Sequence, residues 1–321
     1  LGIMQIGGGL NHLFDVPNNN FTKILITILM VAIFLGSSLT GLNHGVKWLS
    51  NLNILLGAIL LIFILIFGDL KFILESYTLA ISDYLQHFIE YSLRVNPYSG
   101  DDSWIQQWTV FYWAWVISWS PFIGGFVARV SRGRTIREFV VGVLIIPPLI
   151  SFTWIAGFGG TAIKLALNHN DKLVHIVDKD YTVALFELLS HFPLSEVTSS
   201  LAIVLIFIFI VTSADSTTHI VAGMATGGSI NPTLKHKVLW GLLIGAISVA
   251  MTIAGGLKSL QTASVITGLP FSIILLLMIF SLMRALKREP IHHFKMTSID
   301  DEKDYSISLE EREKQDEQDN K

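Results

Sequence analysis

Seven runs of apolar residues recur along the chain, over 24–41, 52–67, 110–128, 139–158, 198–213, 238–254 and 265–286. Each is close to the length a helix needs to cross a hydrocarbon core about 30 Å thick, so the pattern predicts membrane-spanning helices joined by polar connections. Residues 1–14 form a shorter apolar stretch, opening on Leu1 rather than Met, with no basic n-region or small-residue cleavage site. It reads not as a signal peptide but as the end of an eighth span whose predecessors are missing. Two stretches between spans are amphipathic. Residues 72–93 set Phe72, Leu79, Leu85 and Phe88 among Glu75, Asp83 and Glu90, which predicts a helix lying on the outer surface, and 181–192 looks similar. Such a helix either covers an outer entrance or is a plain surface helix. From Lys287 the pattern changes: 300–304 and 310–321 are dense in mixed charge and poor in apolar residues, the signature of a solvated, disordered or transiently helical tail.

Composition agrees with the pattern. The 321 residues are 51% hydrophobic and 15% charged, with a mean hydropathy of +0.58, which excludes an ordinary soluble domain. The fold class is an all-α integral membrane protein, with residues 1–288 as a transmembrane region of about eight spans and 289–321 as a charged cytoplasmic tail. Cysteine is absent, which excludes disulfides, thiolate chemistry and cysteine-ligated metals. The net charge of −3 decides little, but its placement sets the topology. Lys47, Arg129, Arg132, Arg134, Arg137, Lys235, Lys237, Arg284, Lys287 and Arg288 fall on one side, which the positive-inside rule makes cytoplasmic, with the C-terminus inside. The opposite side holds the longer connections, 69–106 and 160–196. Arg284, Lys287 and Arg288 are placed to touch anionic lipid head groups.

Three runs carry candidate chemistry. Trp113-Ala114-Trp115-Val116-Ile117-Ser118-Trp119-Ser120-Pro121-Phe122 lies within a span, and at helical spacing Trp108, Tyr112, Trp115, Trp119, Phe122 and Phe126 share one side. A quaternary ammonium has no hydrogen to donate, and ring faces attract it by cation–π interaction and dispersion. Tryptophans also fill packed cores and form belts at membrane interfaces. Phe209 to Ser216 ends an apolar run with Thr212, Ser213 and Asp215; adjacent hydroxyls, with backbone carbonyls from a broken helix, suit a small hard cation such as sodium. The alternative is that the hydroxyls back-bond their own helix and Asp215 meets the arginines. Arg129 to Glu138 is a compact cationic hairpin, read as a gate or anchor with Glu138 available to an arginine, or as topology signalling alone. It leaves no surface for a nucleic acid. Gly223, Gly227 and Gly228, then Asn231-Pro232, read as close packing and a turn.

The chain resembles the betaine/choline/carnitine transporter family. The resemblance is carried by Gly45 to Asn53 (GVKWLSNLN), Trp108 to Trp115 (WTVFYWAW), Ser118 to Phe122 (SWSPF), Ala128 to Phe139 (ARVSRGRTIREF) and Val211 to Ser216 (VTSADS), in order over nearly all the chain except the tail. It implies the C-terminal part of a twelve-span transporter with the inverted (LeuT-like) repeats of sodium-coupled amino-acid transporters, this sequence beginning near the fifth span. By the resemblance, Trp115 and Trp119 line the substrate path, Phe111 gates it, Phe122 and Phe126 lie toward the cytoplasm, and Trp113 and Val116 complete the substrate-binding set. Thr212 and Ser213, with Phe209 one turn earlier, are the sodium-binding set. The fourth span, half of the aromatic box, and the third, half of the sodium site, are not within this sequence. Two positions depart from the family: Val116 stands where a second tryptophan is usual, and Gly68-Asp69-Leu70 where Gly-Pro-Thr is usual.

The expected function is secondary active uptake of glycine betaine, choline or carnitine by sodium symport, for osmoprotection, in the cell membrane. No cofactor is expected beyond the coupling ion. The expected partners are a quaternary-ammonium solute, membrane lipids and, by the resemblance, two further copies in a homotrimer. A sodium-independent exchanger of the same family and a non-transporting sensor are the alternatives. A channel would need rings of carbonyls or charges along a wet pore. An enzyme would need clustered His, Asp or Glu within the bilayer, and of the ten histidines only His219 is near a span interior.

Overall fold

The computed structural model describes residues 1–40, 43–95, 102–131, 133–168, 171–229 and 232–288. The charged tail, Arg132 and Asn231 lie outside the described residues. The helices are α1 (Gly2–Phe14), α2 (Asn20–Thr40), α3 (Asn43–Phe67), α4 (Leu70–Gln86), α5 (Phe88–Ser92), α6 (Phe111–Val130), α7 (Ile136–Trp154), α8 (Thr161–Leu167), α9 (Asp171–Lys179), α10 (Ala184–Ser190), α11 (Ser195–Ala225), α12 (Leu234–Ala254) and α13 (Leu257–Arg288). Seven stretches among the described residues are long and apolar enough to span a membrane: Asn20–Ser37, Trp48–Phe67, Ile105–Ala128, Ile136–Leu167, Ser195–Ala225, Leu234–Ala254 and Leu257–Arg288. They coincide with the seven apolar runs, and the protein is an all-α, multi-pass membrane protein. Two units divide within α13, Leu1–Ser272 and the segment from Ile273, where Leu276, Leu277 and Phe280 point outward from the helix.

Within Leu1–Ser272, α11 packs against α1, α2, α3, α6, α10 and α12. On one flank Ala202 joins Leu60, Ile64, Phe158, Phe186, Leu188 and Leu189; on another Val211 joins Ile6, Ile26, Met30, Phe34 and Leu35. Hydrocarbon solvates a leucine as well as another leucine does, so such contacts depend on close van der Waals approach rather than on removal from water. Gly241 and Gly245, four residues apart on α12, supply that approach to α2. A Cβ at Gly241 would lie 2.5 Å from Leu35 Cδ2, and one at Gly245 2.6 Å from Val31 Cγ2.

Three expectations are corrected. The span over 139–158 does not end near Gly159: it passes through a π-helical turn, Ile155–Gly160, into α8, because in a membrane the backbone keeps its internal hydrogen bonds even through glycine. Thr161 Oγ1 donates to the Gly157 carbonyl at 2.5 Å, a second donor to an oxygen that also accepts from the Thr161 amide. Residues 181–192 do not lie on the surface. Phe186 and Leu189 are fully buried and Glu187 nearly so, since α10 wedges between α9 and α11. Finally, α11 continues to Ala225 instead of ending at Thr212 and Ser213, and the turn falls at Gly227 and Gly228, both with positive φ.

The unusual Asp69 has a structural role. It caps α4 by accepting from the Phe72 amide at 3.0 Å and pairs with Lys164 of α8, whose ammonium lies 4.8 Å from the centre of the Phe72 ring. Hydrogen bonding from Lys164, then from the Phe72 amide, holds the Asp69 carboxyl below its ordinary value of 3.8. A carboxylate with a pKa depressed by folding adds stability above its unfolded pKa and loses it as pH falls through the folded one. Protection of the Phe72 amide from hydrogen exchange is therefore expected to persist from neutral pH down to about pH 4 and to fall only below the ordinary carboxylate range. Asp69→Asn, which keeps a cap but not the ion pair, should abolish that pH dependence.

Candidate functional site

The aromatic run enters the membrane through a π-helical segment, Ile105–Val110, where Gln261 Nε2 of α13 donates to the Gln107 carbonyl at 2.8 Å. The wide turn takes Trp108 off the 3.6-residue period of the stripe, although its ring still stacks on Tyr112 with centroids 6.4 Å apart. α6 then seats one edge on α13. A Cβ on Gly268 would lie 3.0 Å from that of Ala114, and Ser118 Oγ donates to the Ala114 carbonyl at 2.7 Å while lying 3.0 Å from Thr267 Oγ1. Small residues let the backbones approach, and the hydroxyls join them.

That seam fixes the rotation of α6 and hence the rings. Phe111 is buried at 4% exposure and lies parallel to Trp115, with centroids 6.0 Å apart and planes 5° apart. Tyr112 meets the same indole edge-on at 5.8 Å. Trp115 is thus braced by two rings yet stays 42% exposed. Trp119 and Phe126 continue the exposed stripe, and Phe122 meets Phe271 at 6.0 Å. Trp113 and Val116 point elsewhere: with Thr109 and Tyr112 they line an open groove of about 280 Å³. The residues expected to bind substrate are therefore divided between two sides of one helix, with Tyr112 on the border.

In α11, Thr212 is buried and its hydroxyl donates to the carbonyls of Ile208 at 2.9 Å and Phe209 at 3.1 Å. This is the back-bonded arrangement. A hydroxyl that donates keeps its lone pairs, so the oxygen can still serve a cation. Because the helix is unbroken here, any carbonyl ligands come from another element. Phe209 and Ser213, one turn apart, are both exposed. α6 meets α11 where a Cβ on Gly125 would lie 3.4 Å from Met224 Cε. Counting back, Trp115 is about 15 Å and Thr212 about 18 Å from that crossing. The helices run in the same direction, with one span between them in sequence, so the rings and the hydroxyls sit at comparable depth.

In the cationic hairpin the described partner of Glu138 is Thr135, while Arg132 and the Arg129 side chain lie outside the described residues. Glu138 closes a capping box with Thr135, accepting from the Thr135 amide at 3.0 Å while its own amide donates to Thr135 Oγ1 at 3.2 Å. The partners that pattern reading missed are Asp69 with Lys164 and the seam of Ser264, Thr267 and Gly268. The second of these has a readable signal, small residues at i, i+3 and i+4.

A family model described as BCCT, betaine/carnitine/choline family transporter, matches residues 1–291. The chain is 50% identical over 288 residues to an ectoine/hydroxyectoine transporter of Virgibacillus pantothenticus, covering 90% of this chain and 57% of the relative. It is 42% identical over 290 residues to the glycine betaine transporter OpuD of Bacillus subtilis, covering 90% and 56%. An osmo-independent choline transporter, BetT1 of Acinetobacter baylyi, is 36% identical over 295 residues, covering 90% and 56%. The chain spans a little over half the length of these curated relatives.

Proposed function

The chain belongs to the betaine/carnitine/choline transporter family, and from that premise we propose that it forms part of a secondary transporter that takes up a small cationic or zwitterionic osmolyte with sodium. The observation that carries this reading is the braced, half-exposed Trp115, a ring face held in a membrane span by Phe111 and Tyr112 of its own helix. Substrate binds against Trp115 and Trp119, Phe111 closes the outer side, and Phe122 and Phe126 lie on the way to the cytoplasm. Sodium takes oxygens from Thr212 and Ser213 beside Phe209, favouring the outward-open state, and rocking of the repeats releases both inside. The protein works in the cell membrane with its C-terminus cytoplasmic, as a homotrimer.

Glycine betaine or choline is the first substrate class. Ectoine is a second, favoured by two observations: the 50% identity to an ectoine/hydroxyectoine transporter, and Val116, which leaves the groove beside Tyr112 and Trp113 without the usual second indole. A delocalised amidinium is flatter than a trimethylammonium and needs less enclosure. The test is uptake of labelled glycine betaine, choline and ectoine by cells carrying the full-length protein, with and without sodium, for native protein and Val116→Trp. Sodium-dependent uptake is expected, with Val116→Trp leaving the KM for betaine nearly unchanged, since position 116 faces the groove beside Trp113 and not the Trp115 face. Uptake indifferent to sodium would favour exchange. Ectoine uptake that Val116→Trp weakens, with no betaine uptake by native protein, would favour the second reading.

A further inference from the structure

A cavity of about 380 Å³ lies between α4 and the π turn Ile155–Gly160, away from the aromatic run and the hydroxyl pair. Phe72, Tyr77 and Tyr84 wall it from α4, and Phe152, Ile155 and Gly160 from the spanning helix. Packing does not require this space. A Cβ on Gly160 would meet nothing within 4 Å, and Ile155 and Ile163 at its border are 64% and 60% exposed.

Its depth identifies its surroundings. The span begins at Ile136 beside the exposed Arg134 and Arg137, which mark one face of the bilayer. At 1.5 Å per residue, Phe152 lies about 24 Å and Ile163 about 40 Å along the helix from there. The hydrocarbon core is about 30 Å thick and the whole bilayer about 40 to 45 Å, so the cavity crosses the boundary between acyl chains and head groups on the opposite face. An apolar cavity offers water too few partners at that level. At its upper end Lys164 spends one donor on Asp69 and has two left, and the Lys164–Asp69 pair presents one charge of each sign.

We propose that this cavity holds one acyl chain of a phospholipid, with the phosphate at Lys164 and any head-group cation at Asp69. The chain fills the space between the aromatic face of α4 and the glycine side of the π turn, so that α4 rests on lipid as well as on protein. The proposal depends on the chain crossing a membrane and not on what it transports. The test uses full-length protein in vesicles of phosphatidylcholine carrying a mid-chain diazirine. After photolysis, adducts are expected on Tyr77, Tyr84 and the 152–163 segment. Gly160→Leu, whose Cβ meets nothing within 4 Å and whose branch enters the cavity, should lower them about fivefold or more, while adducts at the outward-pointing Leu276 and Leu277 stay constant. A thermal melt confirms that the variant is folded. Cavity adducts unchanged by Gly160→Leu, or absent while Leu276 and Leu277 are labelled, would overturn the proposal. So would oxidative dimerisation of Ser76→Cys, which introduces a cysteine into a sequence that has none, because it would put a second copy in the cavity.

Discussion

Trp115→Ala in the full-length protein is expected to raise the concentration of glycine betaine for half-maximal uptake about 30-fold, the equivalent of losing about 2 kcal/mol from one desolvated cation–π wall. Trp115→Phe should keep most of the affinity and Trp115→Leu should lose as much as Ala. That contrast separates a ring acting on charge from a ring acting as filler, since leucine restores packing but not the quadrupole. Phe111 sharpens the test. It lies parallel to Trp115 and is itself buried, so Phe111→Leu frees the indole to turn and should cost affinity without touching the substrate. If Trp115→Leu transports like native protein, the run is packing and the substrate path lies elsewhere.

Gly9→Leu is expected to remove most of the folded protein. Gly9 is buried on α1, and even a Cβ there would lie 2.8 Å from Phe186 Cε1 and Cε2, with Cζ closer still. Phe186 cannot withdraw, because it is fully buried with Leu60, Ile64 and Leu189 in one of the two clusters beside α11. Overpacking of this kind costs about 3 kcal/mol, the upper end of its usual range. Thermal unfolding in detergent measures it, and the double variant Gly9→Leu with Phe186→Ala should recover part of the loss because the new side chain then has somewhere to go. A Gly9→Leu protein that melts like native protein would show that α1 does not need this approach to α10.

Much of this could be read from the sequence because the bilayer is a simple solvent. An apolar run of about twenty residues has one way to satisfy its backbone there, which is why all seven spans were legible. The same rule accounts for the misplaced ends. Thr212 and Ser213 look like a helix terminus because polarity rises at Asp215, yet α11 continues to Ala225; Gly159 and Gly160 look like the start of a loop, yet the span passes through them as a π turn. Polarity and glycine end helices in water, where the backbone has another partner, and not reliably in a membrane. Residues 181–192 failed in the other direction. Leu188, Leu189 and Phe186 give an amphipathic look, but whether such a face meets lipid, water or protein is not a local property.

The residue types of the candidate site, Trp115, Trp119, Thr212 and Ser213, their order along the chain and the spans that carry them follow from the sequence alone, since each depends on side-chain chemistry and on hydrophobic length. Their arrangement depends on tertiary structure. That Phe111 braces Trp115, that Trp113 and Val116 turn to another side, that Asp69 meets Lys164 across 95 residues and that a cavity opens beside Gly160 all follow from how α6 seats on α13 and α4 on the π turn. The seating of α6 is set by where Gly268 and Thr267 of α13 come face to face with Ala114 and Ser118. In a membrane, van der Waals fit between distant elements selects the rotation of each helix, and no periodicity within one helix can supply it.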